Sequence, residues 1–458
     1  MKIIKDGYLR VPITKETLNI AQKHYSYIKS GNLEPVFSAQ ISEDRSTIQF
    51  PRNTKRIKKY ITEEVKIVDR RIEYKSEKLK LSDTFKLRKY QVQPVLSVIQ
   101  TIKNDEDNAC ILQALPSFGK SYVLPKIVSE LNQATLIIID RTLLVDQMYQ
   151  EFKQNVVNNN LIAKLTKTNY TKNKSVYITT FQFLLKNKEI VEYLKEKIGF
   201  IVIDEAHTIG SEVFTKVMAQ FPAKYRLGLS ATPTRSDGLT QILTDTFADN
   251  IIIGHNPTNL TIDVIGVKCK YRAEWVGNGY ADVATHNLTQ PFLTEAVKLT
   301  LKVSKLNNRI CMLYANYKGI RTHFYNVLTE EGYKCAIIDG KTKKEERNEI
   351  IEKLQKNELD ILITGVIIQK GVSIHSLDTI INLGHHNKES LEQLWGRLRR
   401  EHSEKKKPLF IDFFLGGVLS NQANDRYALS KRLAKKSNDS FKVMDYDKYI
   451  SIIKTKLS

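Results

Sequence analysis

The sequence predicts two tandem α/β domains, each built on a parallel sheet, behind a small α+β region. Three observations predict this. Short runs that are apolar at every position alternate with helix-forming stretches, and such runs suit parallel strands buried on both faces. The alternation occurs twice, once over residues 87–253 and again over 307–458. The conspicuous polar motifs fall directly after apolar runs, where open parallel sheets bind their ligands.

Residues 1–86 come first and differ in texture. They are basic and turn-rich, with Arg52, Lys55, Arg56, Lys58 and Lys59 clustered before Tyr60. They are expected to form a small basic accessory domain. In the first series the expected strands are 109–114, 135–140, 175–180, 200–204 and 226–231. Residues 254–306 read as irregular: a linker and the start of the second domain, with a strand at 261–267 and an insertion around Tyr271–Tyr280. In the second series the expected strands are 309–314, 334–339, 361–364, 379–383 and 409–413, with a helix at 343–355. Beyond Phe414 a basic helical tail sets Arg426, Lys431, Arg432, Lys435 and Lys436 among Leu429 and Leu433, and is expected to pack on a lobe.

Composition narrows the partners. The formal net charge is +21, from 71 Lys+Arg against 50 Asp+Glu. That excess points to a polyanion, most simply nucleic acid. No run approaches the roughly 18 apolar residues of a membrane span. The N-terminal residues lack a signal-peptide apolar core. Cys110, Cys269, Cys311 and Cys335 are scattered, with no Cys-x-x-Cys pair; three lie in apolar strand-like runs and read as reduced core residues, not metal ligands, in a cytosolic protein.

The tetrapeptide Asp204-Glu205-Ala206-His207 ends the run Phe200-Ile201-Val202-Ile203. Two adjacent carboxylates at a strand end suit nucleoside-triphosphate hydrolysis. Asp204 can hold Mg²⁺ through its water shell, since Mg²⁺ keeps several waters and takes few protein carboxylates. Glu205 can orient and deprotonate an attacking water. Upstream, the run 109–114 feeds Leu115-Pro116-Ser117-Phe118-Gly119-Lys120-Ser121 and then a helix. Strand, tight loop and a helix opening with Gly-Lys-Ser make a phosphate cradle. Lys120 would bridge the β- and γ-phosphates and Ser121 would bind Mg²⁺. The pattern's first glycine is replaced by Ala114.

Further segments complete a set: Leu87-Arg88-Lys89-Tyr90-Gln91, Leu229-Ser230-Ala231-Thr232-Pro233, and Gln393-Leu394-Trp395-Gly396-Arg397-Leu398-Arg399-Arg400. With the cradle and the acid pair they resemble the superfamily-2 helicases and translocases, over residues 87–400 and in the family's order. The resemblance implies two RecA-like domains that bind ATP and Mg²⁺. By it, Gln91 reads the adenine edge with Arg88 against the base, and Ser117, Phe118, Gly119 and Gly371 border the nucleotide. His207, Ser230 and Thr232 couple hydrolysis to lobe closure. Gln393, Arg397 and Arg400 serve the γ-phosphate. Arg141, Thr142, Thr179, Thr180, Gln182, Asn316, Lys341 and Thr364 occupy strand-end motifs that contact nucleic-acid phosphates. Each threonine equally suits a helix cap.

The finer resemblance is to phage-type DNA branch-migration helicases, with DEAH-like motors and a small N-terminal DNA-binding domain. Two departures from the broad family accompany it. Ser117-Phe118 stands where Thr-Gly-Ser is common, and Gly365 and Ser373 stand where many relatives place aspartates. The expectation is an ATP-driven motor on single-stranded, forked or branched DNA, working beside replication or recombination proteins. In that reading the N-terminal region and the Tyr271–Tyr280 insertion hold or split duplex arms. Alternatives are an RNA-dependent ATPase, a duplex translocase serving a partner nuclease, and a non-catalytic nucleic-acid-binding protein.

Overall fold

The computed structural model describes residues 1–28, 35–115, 118–166, 171–206, 217–231, 240–257, 260–365, 374, 376–399 and 405–457. The chain divides into two compact units, residues 1–256 and 257–458.

The first unit centres on a parallel sheet of seven strands among the described residues. Their spatial order is Ile162–Lys164, Val176–Thr180, Thr135–Ile139, Phe200–Ile203, Tyr225–Ser230, Ala109–Ala114 and Ile251–Gly254. The central strands are buried almost residue by residue, which is why they read as unbroken apolar runs. One layer of helices includes Lys89–Asn104, Lys120–Leu131 and Thr142–Asn155. Their apolar faces close a core with Val95, Val98, Val123, Ile127 and Phe152.

Residues 1–86 form a small α+β piece within this unit. Its five-stranded mixed sheet runs in the order Gln40–Ile41, Thr47–Pro51, Tyr8–Pro12, Lys2–Lys5, Lys66–Asp69, and the piece also carries the α-helix Lys15–His24. The basic cluster does not simply face solvent. Arg52 is 1% exposed and donates to the carbonyls of Ala223 and Lys224. Arg56 pairs with Asp245, and Asn53 bonds the Asp245 and Thr246 carbonyls. From the other side, Arg226, also 1% exposed, donates to the Gly7 carbonyl at 3.0 Å. Gly7 makes this approach possible, because a Cβ there would stand 1.9 Å from the Ala219 carbonyl oxygen. Arg52 and Arg56 of the cluster are thus structural, satisfied by buried carbonyls and a carboxylate, while Lys55 is exposed. Lys59 of the same cluster is exposed.

The second unit repeats the architecture. Its seven parallel strands, among the described residues, are ordered Cys335–Ile338, Ile361–Thr364, Cys311–Tyr314, Thr379–Asn382, Leu409–Gly417, Asp263–Ala273 and Ser440–Asp445.

Two expectations need correcting. Residues 254–306 are largely regular. They hold the long strand Asp263–Ala273 and the helices Tyr280–Leu288 and Pro291–Leu306. Pro291 opens the last of these, where its missing N–H is harmless. The tail is not purely helical. After helix Ser420–Ser437, the strand Ser440–Asp445 pairs with Asp263–Ala273 before helix Tyr446–Thr455 closes over it. Among the described residues, no helix is long and apolar enough to cross a membrane.

Candidate nucleotide site and strand-end motifs

Three neighbouring strands of the first sheet present the candidate site. Tyr225–Ser230 lies between Ala109–Ala114 and Phe200–Ile203, with Ser230 level with Gln113 and Gly228 level with Ile203. The carboxyl ends therefore place the Lys120 loop, Ser230 and the Asp204-Glu205 pair along one edge.

The loop is anchored from below. Phe118 is fully buried in the core, and its amide donates to the Leu115 carbonyl at 3.0 Å. Gly119 precedes helix Lys120–Leu131 with φ +83, and a Cβ there would lie 2.9 Å from Gln91 Nε2. A glycine is needed for both reasons. Gln91 is fully buried: Nε2 donates to the Phe118 carbonyl at 2.7 Å, and Oε1 accepts the Arg88 amide at 2.9 Å. Its amide braces the loop directly. Arg88 is exposed and donates to the Tyr90 hydroxyl.

Lys120 is 7% exposed, and its Nζ donates to Glu205 Oε1 at 3.4 Å. Ser121 follows it in the helix's first turn, half-buried. Asp204 is buried; its amide donates to the Ile138 carbonyl, and its Oδ1 accepts the Glu205 amide at 3.0 Å. Burial first, and then the neighbouring Glu205 charge, push the Asp204 carboxyl up to about 6, against the opposing pull of Lys120. Glu205 itself adopts φ +48, a left-handed conformation uncommon outside glycine. Such backbone outliers cluster where function over-determines geometry.

The donor set fits a magnesium–triphosphate. The Asp204 carboxyl stays raised by burial and its second acid even with Lys120 nearby, and a divalent cation would supply the further positive charge. The adjacent ammonium and the start of a twelve-residue helix suit phosphate oxygens.

Ser117, His207, Thr232, Gly371 and Arg400 lie outside the described residues. Ser230 is fully buried at its strand end. Arg141 is exposed, beside Asp140 at 3.6 Å, and exposed Thr142 opens its helix. Thr179 is fully buried and donates to the Leu165 carbonyl, which places it beneath the surface. Thr180 caps helix Phe181–Lys186 by accepting the Phe183 amide at 3.2 Å, and Gln182 is exposed on that helix.

In the second unit, Thr364 is fully buried and donates to the Ile338 carbonyl, while Lys341 is exposed. Gln393 and Arg397 lie one turn apart on helix Lys388–Leu398, both buried. Asn316 accepts the His385 amide at 2.6 Å.

Sequence reasoning missed a buried network beside Asn316. His386, 3% exposed, bonds Asn382 Oδ1 at 2.8 Å through Nε2 and Ser390 Oγ at 3.0 Å through Nδ1. Asn382 Nδ2 donates to Asp412, and Arg426 pairs with the same carboxylate at 3.2 Å. Burial, with Arg426 and His385 nearby, pushes the His386 imidazole down to about 3. The His385-His386 pair before the arginine helix was the available signal.

Comparison with known proteins follows the same division. Residues 84–235 match the family described as "Type III restriction enzyme, res subunit", and residues 293–402 match "Helicase conserved C-terminal domain". A probable helicase of Escherichia phage T5 is 25% identical over 75% of this chain and 75% of its own length. A DNA 3'-5' translocase of Sulfurisphaera tokodaii is 22% identical over 77% of this chain and 85% of its own. The structure of S. cerevisiae Dbp5 L327V bound to RNA and ADP BeF3 superposes with a TM-score of 0.55 at 15% identity, covering 82% of this chain and 99% of that one. That likeness shows the fold, two RecA-like domains in tandem. The helicase domains indicate an ATP-dependent helicase enzyme.

Proposed function

We propose that the protein is an ATP-driven motor that unwinds or branch-migrates forked and junction DNA in replication, recombination or repair. The observation that carries the reading is the meeting of Lys120 with Glu205 at 3.4 Å beside buried Asp204. The net charge of +21 supports a polyanionic track, and a relative named as a DNA translocase favours DNA.

In this reading Lys120 holds the β- and γ-phosphates, and Ser121 and Asp204 hold Mg²⁺. The ion, when bound, neutralises phosphate charge. A triphosphate competes for the Lys120 ammonium, which leaves the Glu205 carboxylate to orient and deprotonate water. Gln91 keeps the loop in register, and Arg88 is the exposed side chain that meets the base. Gln393, Arg397 and Arg400 stabilise charge on the transferred phosphoryl group. Arg141, Thr142, Thr180, Gln182, Asn316 and Lys341 position the phosphate backbone, which carries no base readout.

The test is phosphate release by the purified full chain with single-stranded DNA, forked DNA, four-way junctions or RNA, alongside strand-separation assays on the same substrates. Stimulation and unwinding greatest on forks and junctions are expected. Stimulation by RNA alone would replace the DNA reading with an RNA motor. ATP hydrolysis without any strand separation would leave a translocase.

A further inference from the structure

We infer that Trp275 is a nucleobase-stacking residue, a platform for one base of the single strand on which the motor acts. The inference rests on the nucleic-acid motor proposed above and names a contact that the motifs do not supply.

The chain has two tryptophans. Trp395 is 1% exposed in the core of the second unit, whereas Trp275 is 63% exposed. A single exposed apolar side chain needs no explanation by itself. Here, however, the display is built. Trp275 lies between strand Asp263–Ala273 and helix Tyr280–Leu288. The residue before it, Glu274, is gripped through both backbone groups by fully buried Asn287. Asn287 Oδ1 accepts the Glu274 amide at 2.9 Å, and its Nδ2 donates to the Glu274 carbonyl at 2.8 Å. Tyr271 donates to the same Oδ1, and Nδ2 also donates to the Val283 carbonyl at 2.7 Å. Beyond the tip, Gly277 turns at φ +81, and Asp282 accepts the Asn278 amide. On the strand side, Val418 donates to the Ala273 carbonyl. A buried amide with its bonds spent on a solvent-facing loop fixes the backbone that carries the indole.

Location points to the occupant. Strands Asp263–Ala273 and Cys311–Tyr314 belong to one all-parallel sheet, so Trp275 and Asn316 both leave it at the carboxyl edge. Helix Tyr280–Leu288 then packs on helix Lys318–Glu330. Gly319 admits Thr285, since a Cβ there would stand 2.6 Å from Thr285 Cγ2. Tyr280 and Tyr317 approach with ring centroids 6.3 Å apart. The displayed indole therefore precedes one helix of a packed pair whose other helix follows Asn316, with exposed Arg272 and Lys318 on the two segments. Aromatic faces beside cations suit a single strand, because every base offers a π-face and every linkage a charge.

The experiment titrates the full chain with a fluorescein-labelled single-stranded oligonucleotide, reading label anisotropy and intrinsic tryptophan fluorescence together. Buried Trp395 provides a constant background. Quenching that saturates with the anisotropy rise is expected, and it disappears in Trp275→Leu. Trp275→Ala should weaken binding at least about fivefold, the low end for loss of one base stack. Trp275→Phe should recover most of that loss, and ATP hydrolysis without nucleic acid should match wild type. Full anisotropy change with wild-type fluorescence unmoved, or unaltered affinity in Trp275→Ala, overturns the inference and leaves the motor reading intact. No anisotropy change with any DNA or RNA overturns both.

Discussion

The Lys120 ammonium and the Glu205 carboxylate stand 3.4 Å apart although 85 residues separate them in the chain. Each leaves the carboxyl end of a parallel strand, and one strand, Tyr225–Ser230, lies between the two. Glu205 reaches the lysine from a left-handed backbone at φ +48. A non-glycine residue held there costs about 1–3 kcal/mol, so the surrounding fold must enforce it. In the proposed function the pair joins a phosphate-binding cation to a water-activating base.

Replacing Lys120 by Ala should therefore remove turnover rather than fold. The ammonium is a positive charge that meets the acid pair. Loss of one preorganised charge at a transition state lowers rate by about 10²–10³-fold. Steady-state phosphate release from Lys120→Ala should fall by at least that factor, with far-ultraviolet circular dichroism unchanged. Wild-type turnover would dissociate this site from catalysis.

Asp204→Asn should separate stability from activity. The Asp204 carboxyl is raised from 3.8 to about 6, so between those values the folded state holds a proton that the unfolded state releases. Stability from this group is therefore present at low pH and is lost as pH rises through about 6. At pH 7, without metal or nucleotide, Asp204→Asn should be more stable than wild type by roughly 3 kcal/mol, about 1.4 kcal/mol for each unit of the rise. At pH 4 the gain should vanish. Turnover should be abolished throughout, and wild-type kcat/KM should rise with pH through about 6. Thermal melts at the two pH values, with rate profiles, check both halves.

What the chain reveals by inspection follows burial. Runs such as 109–114 and 361–364 match their strands residue for residue, because they lie inside sheets covered on both faces. The edge strands Ile162–Lys164, Ile251–Gly254 and Ser440–Asp445 were missed. Ile162–Lys164 and Ile251–Gly254 are only three and four residues long, the second is apolar yet mostly exposed, and Ser440–Asp445 mixes polar with apolar residues and is only partly buried. In the site, Lys120, Asp204 and Glu205 could be read because each sits in a compact motif after an apolar run. The bracing role of Gln91 could not, since it depends on the distant Phe118 carbonyl. Arg52 misled for a related reason. A charge run looks solvent-facing until tertiary structure brings the Ala223 and Lys224 carbonyls to it.

Arg52→Ala tests that last point. It would strip donors from two buried carbonyls and leave a void between the N-terminal piece and the first α/β sheet. An unsatisfied buried acceptor costs about 1–3 kcal/mol, so a loss of several kcal/mol is expected in urea unfolding. The salt dependence of DNA binding should keep its wild-type slope, because Arg52 offers no charge to a phosphate. A slope reduced by about one, with stability unchanged, would instead make Arg52 a phosphate contact.

His386 gives the second unit an acid-sensitive joint. Its imidazole is pushed down to about 3 from an ordinary 6.5, because it is buried with both ring nitrogens engaged and Arg426 nearby. The unfolded chain therefore takes up a proton that the folded one refuses between pH 6.5 and 3. Stability from this group is complete above 6.5 and falls as pH drops through that window, by about 1.4 kcal/mol per pH unit. His386→Gln removes the titration while keeping a side-chain amide to donate to Asn382. Its unfolding free energy should be lower than wild type at pH 7, because the Ser390 contact is lost, yet vary less between pH 7 and 5. Helix Lys388–Leu398, which carries Gln393 and Arg397, begins beside this joint. Nucleic-acid-stimulated ATP hydrolysis should therefore fall in His386→Gln more than nucleotide binding does. Equal acid sensitivity in variant and wild type, measured by urea unfolding at the two pH values, would assign the pH response to another group.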